Sequence, residues 1–203
     1  METMEVNKLI LGDNLEILKS IDSETIDLIY LDPPFFSNRN YEVIWGDAGE
    51  VRSFQDRWAG GMEHYIAWLK ERVEQMHRIL KPTGSIFLHC DWHANAYIRV
   101  MILDKVFGYK NFRNEIIWSY QRWTAGSSSF QRTHDTVLFY SKSKNIKFNV
   151  LKEEYSEKSA HKAKRFSTFE NGKLIQSYTD DTIREKSMRD VWDISYLNSL
   201  CST

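Results

Sequence analysis

One carboxylate, two prolines and an aromatic ring stand in a row at Asp32-Pro33-Pro34-Phe35. Proline fixes φ and lacks an amide donor, and a residue before proline is pushed to extended geometry. Asp32 is therefore held extended, while Pro33 and Pro34 present carbonyls without amide protons beside them. The product is a rigid shelf with one carboxylate, backbone acceptors and a ring. Such a shelf suits gripping a planar base by its exocyclic amine. An aryl amine is a poor nucleophile because its lone pair is delocalised into the ring. Two acceptors, the Asp32 carboxylate and a proline carbonyl, take its two N–H bonds, help localise the pair and aim it. Phe35 can stack on the base, a contact worth about 1–3 kcal/mol. A base held this way must leave the duplex, so flipping is implied.

A shelf needs a strand to carry it. The apolar, β-rich run Ile26–Leu31 predicts a buried strand ending at Asp32. Upstream, Lys8-Leu9-Ile10-Leu11 reads as a short strand, broken at Gly12. Asp13 or Asn14 can cap the short helix carrying Leu15, Ile17, Leu18 and Ile21. Downstream, residues 36–61 are polar and turn-rich, which predicts a long functional or mobile loop beside the shelf, plausible as a lid. The repeat of Ile66, Leu69, Val73, Met76 and Leu80 predicts a helix over 62–80, with Trp68 and Met76 as packing residues. Lys81-Pro82-Thr83-Gly84 stops it. Ser85 to His89 is the next strand and Cys90-Asp91-Trp92-His93 its exit. A second helix is predicted over 94–106, carrying Tyr97, Val100, Met101 and Leu103. Strands follow at 112–118 and 137–140. Helices alternating with apolar strands indicate an α/β sheet, where ligands bind outside the carboxyl ends of strands. Asp32 and Asp91 both belong there. His89, Asp91 and His93 are poorly spaced for a metal, and a helix start at Trp92 accounts for them better. Cys90 reads as a small core residue.

Composition sets the bounds. The 203 residues are 42% hydrophobic, enough for one sizeable core. No window reaches the roughly 18 apolar residues of a membrane span, and the acidic start lacks a signal-peptide pattern. Two cysteines make neither a disulfide framework nor a metal motif, which fits a reduced cytoplasm. Net charge is −1, yet residues 121–190 hold 14 Lys+Arg against 9 Asp+Glu. That basic stretch, where apolar periodicity fades, suits tracking phosphates. Within it, Arg122 and the run Lys162, Lys164 and Arg165 are candidate contacts, as is Arg39 in the loop after the shelf.

Asp32-Pro33-Pro34-Phe35 resembles the catalytic tetrapeptide of the amino-methylating DNA methyltransferases, usually written Asp-Pro-Pro-Tyr. Four further blocks are similar to the same family and keep its order: Gly12-Asp13-Asn14-Leu15, Leu80 to Phe87, Asn114 to Tyr120, and His134 to Tyr140. The likeness covers most of residues 7–150. It implies an S-adenosylmethionine-dependent, Rossmann-like α/β sheet acting on a flipped base in double-stranded DNA, within a restriction–modification system with a restriction nuclease subunit as a partner. By this resemblance Asp32, Pro33, Pro34 and Phe35 hold the amine and base, with no metal and no covalent enzyme intermediate. Asp13 falls near the adenine of S-adenosylmethionine, compatibly with capping. Tyr120 falls in the loop flanking the target pocket, and the 141–190 segment carries target recognition. Asp rather than Ser at the first shelf position favours adenine N6, with cytosine N4 the enzymatic alternative. A non-catalytic DNA-binding or specificity subunit is the alternative from another class. A nucleotide-binding oxidoreductase is disfavoured because its glycine fingerprint is absent.

The family's Phe-x-Gly-x-Gly cofactor signature is likewise missing, and the blocks run in permuted order, catalytic half first. The implied organisation is a catalytic part over 1–140, a target-recognition insertion over 141–190, and a joint over 191–203 to a cofactor-binding half lying outside this sequence or on a partner chain. A sheet without those central strands leaves strand edges and apolar faces open. The expected consequence is marginal stability and weak methylation by this chain alone.

Overall fold

A computed structural model describes residues 7–37, 40–45, 50–55, 58, 60–120, 128, 130–154, 165–170, 173–178 and 185–194. In chain order the elements are helix α1 (Asn14–Ser20), β1 (Ile26–Leu31), β2 (Asn40–Trp45), β3 (Glu50–Gln55), α2 (Gly61–Ile79), β4 (Leu80–Cys90) and α3 (Asn95–Tyr97). A π-helical segment (Ile98–Gly108) extends α3, and β5 (Phe112–Ser119) and β6 (His134–Ser141) follow. The chain closes with β7 (Lys152–Glu154), β8 (Arg165–Glu170), β9 (Lys173–Tyr178), β10 (Glu185–Ser187) and β11 (Val191–Asp193). Among the described residues no helix is long and apolar enough to cross a membrane.

Two compact units are present. The first comprises the described residues up to Lys147 together with those from Asp190 onward. It is built on a five-stranded mixed sheet in the order β1-β4-β6-β5-β11. β1 runs parallel to β4, β6 is antiparallel to both β4 and β5, and β11 is parallel to β5. The core lies between this sheet and its helices. From α2 it takes Ile66, Leu69, Val73 and Met76, foreseen from the three–four spacing, together with Tyr65, which that spacing does not single out. From β4 it takes Leu80, Ile86 and Leu88. Cys90, buried at the end of β4, is a free thiol, and burial pushes its pKa up. The chain stays with this unit past residue 140 because its backbone ties back to the start of β4. Lys142 N donates to Gly84 O at 2.9 Å and Lys142 Nζ to Leu80 O at 2.6 Å. Ser143 Oγ donates to Pro82 O at 2.7 Å.

The second unit spans Phe148 to Arg189. It contains the antiparallel pairs β7–β10 and β8–β9. Glu153 anchors the first pair, accepting from Lys186 Nζ and from Arg189 Nε, each at 3.1 Å.

Four expectations need correcting. Residues 8–11 form no strand: Leu9 and Leu11 are fully exposed, and a strand exists only where another strand accepts its hydrogen bonds. β1 is not buried, because it is the edge of the sheet and pairs only with β4 among the described residues; Leu28 is 58% exposed and Tyr30 62%. The 36–61 loop contains the antiparallel hairpin β2–β3, with Trp45 opposite Glu50. Its strands carry Tyr41, Val43, Ile44 and Trp45 in β2 and Val51 and Phe54 in β3, residue types that favour pleated pairing. The second helix also buries a different face. Ile98, Ile102, Leu103 and Phe107 are buried, a spacing that suits the wider π turn, while Tyr97, Val100 and Met101 are exposed.

Candidate active site

The sheet register sets one row of residues at one end. Leu31 pairs with Leu88, so Asp32 leaves β1 beside His89 at the end of β4. His89 pairs with Val137, two residues from Asp135 on the same face of β6. Asp135 in turn pairs with Trp118 on β5. Four neighbouring strands thus deliver Asp32, His89, Asp135 and Trp118 to the exit of β1 and β4, the end at which open α/β sheets bind ligands.

The side chains form a connected set. Asp32 Oδ1 lies 3.1 Å from His89 Nδ1. His89 Nε2 lies 3.6 Å from Asp135 Oδ2, within ion-pair range but beyond hydrogen-bond length, and it makes no hydrogen bond among the described residues. Tyr120 Oη donates to Asp135 Oδ1 at 3.2 Å. Phe35 meets the His89 ring edge-on, with centroids 4.9 Å apart. Trp118 lies 5.7 Å from His89 on another side and T-stacks on Tyr120. Burial opposes charge on His89, but its attraction to Asp135 and Asp32 outweighs it, raising its pKa from 6.5 to about 9. The Asp32 side chain stays 58% exposed, and its Oδ2 has no hydrogen-bond partner among the described residues. The shelf carboxylate is thus anchored by one oxygen and open at the other, and it is not consumed by a buried ion pair.

The backbone of the shelf is fixed from below. Tyr65, fully buried on α2, donates its hydroxyl to Pro34 O at 2.6 Å. That engages one lone pair of the Pro34 carbonyl, while Pro33, between it and Asp32, is buried. Phe36, next in the chain, adopts φ 62°, a left-handed backbone that a bulky residue rarely takes. Its ring packs 5.6 Å from Tyr65. A rim lies at the same end of the sheet. Trp92, 48% exposed, stacks on His93, and the Arg132 guanidinium sits 3.9 Å from the Trp92 ring centroid. His93 and His89 go to different carboxylates: His93 Nδ1 lies 2.7 Å from Asp91 Oδ2, and Asp91 Oδ1 accepts from His93 N at 2.9 Å.

Asp13 stands apart from this row. It caps α1, with Oδ1 accepting from Leu15 N at 2.7 Å. The nearly buried Arg72 of α2 braces the same turn. Its Nη2 lies 3.4 Å from Asp13 Oδ1, and its Nε donates to Asn14 Oδ1 at 2.8 Å. Asp13 keeps a 60% exposed side chain. Arg39, Arg122, Lys162 and Lys164 lie outside the described residues, and Arg165 is described only as the first residue of β8. Of the other sequence candidates, the shelf and Tyr120 are brought together at the sheet end. Sequence reasoning misses His89, Asp135 and Tyr65 as members of the site. From sequence His89 presents itself only as a poor metal ligand, and Asp135 only as part of a family block. The available signal is alternation: His89 shares its strand face with Phe87 and stands one step past the strand level with Leu31.

Residues 26–203 match the family model described as DNA methylase. The chain is 28% identical over 194 residues to the type II methyltransferase M.BglII of Bacillus subtilis, covering 92% of this chain and 48% of that protein. It is 29% identical over 149 residues to the type II methyltransferase M.HinfI of Haemophilus influenzae, covering 70% of this chain and 40% of that one. The chain therefore spans less than half the length of these curated relatives. Among solved structures, a putative DNA modification methylase of Thermus thermophilus complexed with S-adenosyl-L-methionine shares the fold. Its TM-score is 0.52 at 15% identity, covering 92% of this chain and 66% of that one. With the family model spanning most of the sequence and the proline shelf standing at its sheet's carboxyl end, this chain belongs to the DNA methylase family.

Proposed function

We propose that this chain is the amine-gripping part of a site-specific DNA methyltransferase that moves a methyl group from S-adenosylmethionine to the exocyclic amine of a flipped base, adenine N6, in a restriction–modification system. One observation carries the reading: the Asp32 carboxylate, pinned through Oδ1, keeps Oδ2 free of hydrogen-bond partners among the described residues at a strand exit. Oδ2 accepts one N–H of the amine and a carbonyl of the Pro33-Pro34 shelf the other. Phe35, half-buried against His89, gives the base a ring to lie on. Two fixed acceptors on a planar amine draw its lone pair out of conjugation and set its direction, a gain of orientation rather than of acid–base power. S-adenosylmethionine, when bound, supplies the electrophilic methyl group.

The described residues fit that cofactor in part. Asp13 Oδ2 has no hydrogen-bond partner among them and suits an adenosine contact. No glycine-rich cradle is found in the sequence. The reading therefore calls on further residues for the rest of the cofactor site, packed against the open flank of β1. Arg132 over Trp92, at the mouth of the site, suits a phosphate. The Asp at the head of the shelf favours adenine over cytosine N4.

The test is Asp32→Ala in the methylating form of the protein, with DNA binding followed in parallel and the product nucleoside identified. The expected loss is about a hundredfold or more in methyl transfer, the size attached to removing one positioned polar group at a reacting centre, with DNA binding retained. Unchanged methylation ends the assignment, and N4-methylcytosine as product replaces adenine by cytosine.

A further inference from the structure

We propose that His89 is the positioning residue of the shelf: as an imidazolium clamped between Asp32 and Asp135, it holds Asp32 through Oδ1 and so presents Oδ2 to the amine. This rests on the amine-holding role of Asp32 given above. The two ring nitrogens face two carboxylates, at 3.1 and 3.6 Å. A neutral imidazole has one N–H and one lone pair, so it would turn a lone pair toward one of those carboxylates; only the doubly protonated ring suits both. The residue is 6% exposed, with Phe35 against the ring's edge and Trp118 tilted beside it, so the ring has little room to turn away.

The charged groups facing the ring are Asp32 from the shelf and Asp135 from β6. The Tyr120 hydroxyl stands behind Asp135, holding its other oxygen. The chain of contacts therefore runs Tyr120–Asp135–His89–Asp32, across the strands, and ends at the free shelf oxygen. The imidazolium has a second effect. It offsets the shelf's negative charge without itself touching a substrate.

Two measurements test this. Nitrogen-15 imidazole NMR of the chain is expected to show His89 titrating near pH 9, and Asp135→Asn is expected to lower that midpoint. An ordinary midpoint near 6.5 in the native chain overturns the proposal. In the methylating form, kcat is expected to fall as pH rises through about 9. His89→Gln, which carries no charge and cannot reach both carboxylates as the imidazolium does, is expected to abolish that alkaline limb. It should also lower kcat by about a hundredfold, the loss attached to misplacing a reacting group by about 1 Å, while KM for DNA holds. A merely structural histidine would leave the pH profile as it was, and that result also overturns the proposal. Should His89→Gln fail to fold, Asp135→Asn reads the same limb, which should move to lower pH. Asp32→Ala in the same assay separates the two failures. Retained methylation there sinks the amine-holding reading itself; abolished methylation beside a wild-type profile in His89→Gln sinks the His89 proposal alone.

Discussion

The exit of β1 and the outer flank of β1 belong to one six-residue strand but differ in how far the chain completes them. At the exit, side chains from α2, β4, β5 and β6 converge. Tyr65 holds Pro34, His89 holds Asp32, Asp135 faces His89, and Trp118 and Tyr120 back them. On the flank, Leu28 and Tyr30 stand more than half exposed, the outer edge of β1 has no strand beside it among the described residues, and Leu9 and Leu11 are fully exposed. Soluble chains normally blunt such edges with charge, proline or cover. The shelf end is therefore tied together by side chains of this chain, whereas the side next to Asp13 stays open among the described residues.

The largest effect expected from this contrast is a pH dependence confined to the exit. The folded-state pKa of His89 is raised from 6.5 to about 9, so its ion pairs stabilise the fold fully below about pH 6.5 and are lost as pH rises through about 9. A shift of that size corresponds to on the order of 3 kcal/mol. Urea midpoints of the chain are expected to fall as pH rises from about 6.5 to beyond about 9, and Asp135→Asn to flatten that fall. A midpoint rising over this range would show that the imidazole is neutral in the folded chain and would remove the electrostatic half of the contrast.

A smaller effect belongs to the underside of the shelf. Tyr65→Phe removes the hydroxyl that Pro34 O accepts and leaves the ring packing on Phe36 and Trp58 in place. The expected cost is about 1 kcal/mol, read in a urea melt. It should be accompanied by a loss of methylation larger than the stability change accounts for, because the carbonyls of the shelf lose their brace. A full-rate enzyme with the same stability deficit would mean that the prolines alone fix the shelf.

Much of this architecture is legible in the residues, and the legible parts share a cause. The α2 helix, the α1 cap at Asp13 and the strand-to-shelf turn depend on neighbours within a few positions, where periodicity, capping and proline geometry act directly. The exposed position of Asp32 at the strand exit is readable for the same reason. What escapes depends on partners far along the chain. His89 meets Asp32 across 57 residues and Tyr65 meets Pro34 across 31. Strand register brings the first pair together and the packing of α2 the second, and no local pattern encodes either. Residues 8–11 show the reverse error. Their composition asks for a strand, but pairing is a property of the neighbour, and none of the described residues provides one. The β2–β3 hairpin is hidden by its own glycines, which read as a loop because they interrupt two runs that only pairing identifies as strands.

The smallest effect is the one that bears on the open flank. In this chain Leu28→Ser and Tyr30→Ser remove apolar side chains already more than half in water, so each is expected to change stability by no more than about 0.5 kcal/mol. A buried side chain at the same positions would cost about 1.5–3 kcal/mol. The two values separate the alternatives cleanly when the same substitutions are made in this chain and in a longer form of the protein. A near-zero cost here, rising to the buried value in the longer form, places the added structure against β1, beside the anchored carboxylate. Equal small costs in both would leave β1 a true edge and send the rest of the cofactor site elsewhere. A large cost in this chain alone would mean that the flank is already covered, and the contrast between the two sides of β1 would not stand.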